Sequence, residues 1–256
     1  MGEIKETITL TFGESAENHK GMQMLGNLGE RGLSIVDLET IREKYEQQGF
    51  KCILYDLGTI PKNDVLDIDI EQEDAKLLVV KKAITNSNEL YQEQLLFPRD
   101  KKALMYGRVV NKHARHNLCF SDFEQVANYE QGKGTVISFA RTPLLSDLRK
   151  KLPELTGIPL LTNLQCEANY YYDISKTYIG FHGDTERRVV IGVRLGETFP
   201  LHYQWFYKNK SISQILTLEL DGGDMYFMSE KATGWDWKSS NKPTLRHAAG
   251  YSIIKA

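Results

Sequence analysis

Between residues 188 and 195 apolar and other positions alternate: Val189, Ile191, Val193 and Leu195 share one side of an extended chain, and Val190, Gly192 and Arg194 take the other. Short stretches of this kind fill the second half of the sequence. They predict strands at 163–169, 180–182, 188–195, 202–207, 215–220, 225–228, 244–247 and 251–254, with Gly196, Asn209, Gly222 and Gly223 as turn residues between them. Leu216, Leu218 and Leu220 alternate with Thr217, Glu219 and Asp221, giving one core face and one wet face. Many short, evenly spaced strands indicate an antiparallel barrel or jelly roll beginning near residue 158.

The first half reads differently. Strands are expected at 8–12, 51–56 and 75–80, with a polar, acidic stretch over 61–74 between the last two. A helix starts at Ser34, where Ile35, Leu38, Ile41 and Tyr45 fall on one face, Asp37 completes a capping box and Gly49 stops it. Residues 86–96 form a second helix, ended by Pro98. A third carries the stripe Leu144, Leu145, Leu148 and Leu152, with Arg149, Lys150 and Lys151 as its solvated face. The expected class is α+β: an N-terminal α/β module over 1–95, whose role the residues do not indicate, and a β-rich domain over 96–256.

The 256 residues are 41% hydrophobic and 26% charged, with a net charge of −2. That suits an ordinary globular protein and excludes a uniformly basic nucleic-acid coat, though not a local basic patch. Cys52, Cys119 and Cys166 are scattered and odd in number, so no disulfide framework is expected and a reducing compartment, cytoplasmic or nuclear, is. No signal core or membrane-length apolar run occurs. The expectation is a monomer without a membrane partner.

Candidate chemistry centres on His182-Gly183-Asp184. Two positions apart on a strand, an imidazole and a carboxylate point the same way. With a distant histidine they make the two-His, one-carboxylate triad that binds Fe(II) and leaves positions open for a co-substrate and dioxygen. His247 is the sole histidine after His202. Each residue alone also fits a bland role: a hydrogen-bonded pair at a strand end, and a core histidine.

The order of motifs goes further. Asn169-x-Tyr171, then Ile179-Gly-Phe-His182-x-Asp184-x-Glu186, a Leu195-Gly196 strand end, Gly223-Asp224-x-x-x-Met228 and finally His247 resembles the AlkB-like Fe(II)/2-oxoglutarate-dependent dioxygenases, over roughly residues 100–256. The resemblance implies a double-stranded β-helix (jelly-roll) catalytic domain holding Fe(II) through His182, Asp184 and His247. It also implies 2-oxoglutarate held by Asn169 and Tyr171, with dioxygen as oxidant. Oxidation of 2-oxoglutarate to succinate and CO₂ would hydroxylate or oxidatively demethylate a modified nucleobase in DNA or RNA.

By the same resemblance Glu186 contacts the base, and the segment with Arg108, Lys112, Arg115, His116 and Asn117 belongs to a nucleotide-recognition lid, with Tyr106 or Trp235 as a stacking surface. A solvated basic loop and a rim salt bridge from Glu186 to Arg187 or Arg188 are the alternatives. Trp235 and Trp237 could instead simply cover the barrel mouth. In one respect the chain departs from the family. A pair of arginines beyond the distal histidine ordinarily clamps the outer carboxylate of 2-oxoglutarate, and here Lys255 is the one cation there. Lysine lacks the fork of arginine, which brings Arg194 or Arg246 forward as replacements. Two other functions stay open: a hydroxylase of a protein side chain or small molecule, and a degenerate cupin-like binding protein.

Overall fold

The computed structural model describes residues 5–62 and 73–255, with side chains through Ile253. Most of the acidic stretch expected at 61–74 and the side chain of Lys255 lie outside the described residues. The chain opens with β1 (Thr7–Gly13), β2 (Ser15–Glu17), β3 (Met24–Gly26), α1 (Ile35–Gln47), β4 (Cys52–Asp56), β5 (Lys76–Val80) and α2 (Ser87–Leu95). Next come β6 (Lys102–Met105), β7 (Arg108–Asn111), β8 (His116–Ser121), β9 (Val136–Ser138), α3 (Pro143–Thr156) and β10 (Gln165–Tyr171). The last seven strands are β11 (Ile179–His182), β12 (Ile191–Gly196), β13 (Phe199–Tyr207), β14 (Lys210–Ser211), β15 (Leu216–Leu220), β16 (Met225–Met228) and β17 (Thr244–Ala249).

Two sheets hold the molecule together. The larger runs β4-β5-β16-β12-β1-β10-β8-β9, and the smaller runs β11-β17-β13-β14 with β15 also paired to β13. From β10 onward the chain crosses between them: β10 in the large sheet, β11 small, β12 large, β13 and β15 small, β16 large, β17 small. Alternation sets the two faces of the large sheet. Ile8, Leu10 and Phe12 of β1, Cys166, Ala168 and Tyr170 of β10, and Ile191, Val193 and Leu195 of β12 pack with the buried faces of α1, α2 and α3. The opposite face turns toward the small sheet, where Val190, Tyr226 and Met228 meet Leu201, Tyr203, Trp205 and Leu245.

The helices form where the pattern places them. Ser34 caps α1 in a capping box with Asp37, and Leu38, Ile41 and Tyr45 are its buried residues. Helix α3 differs in one respect from the expected solvated basic face. Arg149 is buried, donating to both oxygens of Asp122 (2.6 and 3.0 Å) and to the Leu164 carbonyl (2.6 Å). A buried guanidinium is tolerable when a carboxylate and a carbonyl take up its donors.

Two expectations are corrected by the topology. Residues 251–254 do not form a strand: Gly250, at φ +118°, turns the chain into a 3₁₀ helix over Tyr251–Lys255. Nor is 1–95 a module apart from the β-rich domain. Strand β1 lies between β10 and β12, and β5 pairs with β16, so the N-terminal strands are continuous with the large sheet. Strands from distant parts of a sequence pair when each has an apolar face to bury on the same core. Among the described residues no helix is long and apolar enough to cross a membrane.

Candidate metal centre

His182, Asp184 and His247 come together at one end of the gap between the sheets, with ligand atoms all within 4.8 Å of one another. Strand pairing does this: β11 runs antiparallel to β17, with His182 opposite His247. Asp184 follows just beyond β11, fixed by its backbone N–H donating to the Thr233 carbonyl (3.0 Å). The residue between must be glycine, because a Cβ at Gly183 would lie 2.0 Å from the carbonyl oxygen of Gly234. Oδ1 of Asp184 lies 3.6 Å from Nε2 of His182 and 3.9 Å from Nε2 of His247.

The donor set could hold a metal ion. Nδ1 of His182 lies 2.8 Å from the Gly180 carbonyl, which places the proton on Nδ1 and leaves the Nε2 lone pair free. Burial lowers the pKa of His182 to about 4, and burial with His182 nearby takes His247 well below the usual range, so both are neutral ligands. Burial and the neighbouring Glu186 raise Asp184 to about 8, against the opposing effect of Arg187. A metal ion at Oδ1, on the side of the imidazoles, would favour the charged form of this carboxyl. Arg187 sits behind it, 3.8 Å from Asp184, and pairs with Glu167 (2.9 Å) and Glu186 (2.8 Å).

The three residues open onto a cavity of about 190 Å³ between the sheets, the share of roughly six water molecules. Asn169, Tyr171 and Arg194 all line it. Arg194, which stands alone as a charge in an apolar strand, is only 1% exposed, and among the described residues no carboxylate lies within ion-pair distance of it. Its guanidinium donates to the hydroxyl of Thr9, and Nε has no partner. The guanidinium also lies 5.2 Å over the Phe199 ring, but a buried cation without a carboxylate is costly, so a cavity that keeps one suits an anionic ligand. Tyr226 reaches the same cavity across Gly192, its register partner, whose missing side chain makes room for the ring. Arg246 faces elsewhere, donating to Asn209 (2.7 Å).

The residues expected to recognise substrate scatter. Glu186 and Arg115 line the cavity. Lys112 turns inward to Asn18 (2.6 Å) and Asn117 (3.0 Å), and Asn117 donates to Glu167 (2.9 Å) and Asn169 (2.8 Å). His116 stacks on Tyr172, ring centroids 4.5 Å apart, and Arg108 and Tyr106 are exposed on the β6–β7 hairpin. The cavity is lined instead by Glu17 at the end of β2, by His19 and Lys20 of the segment joining β2 to β3, and by Trp237. Lys20 lies 4.9 Å over the Trp237 ring. Trp235 packs against Arg188 (4.4 Å) and Lys242 (5.6 Å). No local pattern marks Glu17, His19 or Lys20, because only the pairing of distant strands brings them to the cavity. The Thr7, Thr9, Thr11 alternation in β1 was the one visible sign of a polar inner face.

No family model matches the chain. It is 50% identical over 253 residues, 98% of this chain and 98% of the other, to the uncharacterized protein R156 of Acanthamoeba polyphaga mimivirus. The chain belongs to the same family as that viral protein.

Proposed function

We propose that this protein is an Fe(II)- and 2-oxoglutarate-dependent oxygenase of the AlkB-like kind, built on a double-stranded β-helix. The observation that carries the reading is the cavity that joins two neutral imidazoles and a carboxylate, at one end, to a buried arginine without a carboxylate partner, at the other. One end suits a divalent iron, the other the far carboxylate of a dicarboxylic acid. The repeated crossing between the two sheets supports the β-helix.

His182, Asp184 and His247 would hold the iron, and Arg194 takes the anchoring part considered for Lys255. Bound iron with 2-oxoglutarate and dioxygen supplies the oxidising chemistry that hydroxylates a C–H bond. Asn169 helps orient the co-substrate: its Oδ1 accepts from Arg115 and Asn117, which leaves its amide N–H groups to donate into the cavity. Tyr171, on the same strand, adds a hydroxyl donor. The sheets exclude bulk water, and Arg187 keeps Asp184 facing the imidazoles.

The substrate class favoured is a modified nucleobase in DNA or RNA. Trp237 offers a ring face at the mouth, Glu186 a hydrogen-bonding carboxylate, and Lys20 and Arg115 cations for flanking phosphates. A protein side chain or small molecule is the competing class. The test is anaerobic titration with Fe(II) and 2-oxoglutarate, followed by succinate release in air. The wild type should bind both and turn over, and Asp184→Ala should lose iron and turnover while its melting curve persists. Full turnover by that variant would remove the assignment. Binding of short oligonucleotides at two salt concentrations, by wild type and Arg115→Ala, then separates the substrate classes.

A further inference from the structure

We propose that Thr9, on the N-terminal strand, is a binding residue of this site whose hydroxyl donates to the outer carboxylate of the dicarboxylic acid anchored by Arg194. The identity of that acid rests on the oxygenase reading above. The observation is a row of side chains crossing the large sheet. Asn117 is opposite Asn169, Asn169 opposite Thr9, and Thr9 opposite Arg194. Cross-strand partners project from the same face, and Asn169, Thr9 and Arg194 all line the cavity.

Hydrogen-bond directions along the row leave donors facing the cavity. Asn169 accepts through Oδ1 from Arg115 and Asn117, so its NH₂ is turned away from both. Thr9 accepts through Oγ1 from an Nη of Arg194. A hydroxyl has one proton of its own to give, and among the described residues no acceptor takes the proton of Thr9. Thr9 is 5% exposed and Arg194 1%, so neither is satisfied by bulk water.

Three donors in a row, one of them charged and none bonded to a carboxylate, are arranged for an anion. Packing alone does not call for the hydroxyl at position 9, since valine has the same shape. The hydroxyl does two things that valine cannot. It fixes the guanidinium of Arg194 in the plane of the row, and it adds a neutral donor beside it. The N-terminal strand thus contributes chemistry to a site whose metal ligands lie more than 170 residues further along.

The test compares 2-oxoglutarate with 2-oxobutyrate, which keeps the 2-oxo acid end and lacks the second carboxylate. Binding is read by calorimetry on the Mn(II)-loaded protein, which does not turn over. Thr9→Val should bind 2-oxoglutarate about tenfold or more weakly, the cost of losing a hydrogen bond to a charged group, with 2-oxobutyrate and Mn(II) affinities unchanged. Thr9→Ser should restore wild-type binding. Thr9→Ala gives the same reading if the valine variant does not fold. Undiminished 2-oxoglutarate binding in these variants, or equal loss of both acids, overturns the assignment of Thr9. Wild-type protein that takes up Mn(II) but neither acid sinks the oxygenase reading and this proposal together.

Discussion

At Gly192 a Cβ would lie 1.9 Å from Cζ of Tyr226. The ring crosses the β12 backbone at that point and carries its hydroxyl into the cavity beside Arg194. Gly192→Ala must therefore push the ring aside, and such overpacking costs about 1–3 kcal/mol. The melting temperature should fall, and 2-oxoglutarate should bind more weakly than to wild type. Gly192→Ala with Tyr226→Leu, which removes the ring, tests the mechanism: if the two losses in stability simply add, ring and glycine are not coupled. At this scale the clustering of His182, Asp184 and His247 was legible in the sequence, because His182 and Asp184 share a strand face by local geometry and His247 had few rivals. Arg194 entered only as one of two replacements for the missing arginine pair, beside Arg246. Thr9, Tyr226 and Glu167 did not stand out, since each acquires its meaning from a neighbour on another strand.

Among the elements, the segment from β6 to β8 departs most from what its composition suggests. A lid by the family resemblance or a solvated basic loop was expected here, yet Lys112 and Asn117 are absorbed into a buried network with Asn18, Glu167 and Asn169, and His116 stacks on Tyr172. Composition reports charge but not which way a strand turns it. Burial, reinforced by Lys101, Arg99 and Lys112, lowers the His116 pKa to about 4. The unfolded chain therefore binds a proton at His116 between the ordinary histidine value of about 6.5 and pH 4, where the folded protein does not. Stability from this group is full above pH 6.5 and is lost as the pH falls toward 4. His116→Phe keeps the ring stack and removes the proton uptake. Its melting temperature relative to wild type should rise between pH 7 and pH 5, and a constant difference would mean that His116 titrates alike in both states. Helices α1 and α3, by contrast, were readable almost to the residue, because a capping box and a leucine stripe are local signals.

For the whole molecule, the short strands of the second half were readable as a β-rich fold, but the place of the first ninety-five residues was not. A period of two says that β1 has an apolar face, and nothing local says which strands it joins. Ile8, Leu10 and Phe12 supply part of the core under α1–α3, between the corresponding residues of β10 and β12. A strand in the middle of a sheet cannot leave without uncovering both neighbours, so the N-terminal segment and the candidate metal centre should unfold together. The three tryptophans, Trp205, Trp235 and Trp237, all lie in the second half of the sequence and none is on β1. Leu10 is fully buried, and Leu10→Ala should cost about 2–5 kcal/mol through lost burial and the cavity left behind. The decisive measurement follows tryptophan fluorescence and far-ultraviolet circular dichroism through denaturant unfolding of this variant. Coincident transitions, both displaced to lower denaturant than in wild type, are expected of one cooperative unit. A fluorescence transition that stays where it is in wild type, while the dichroism loses an early fraction, would mean that β1 detaches and leaves the rest of the sheet standing.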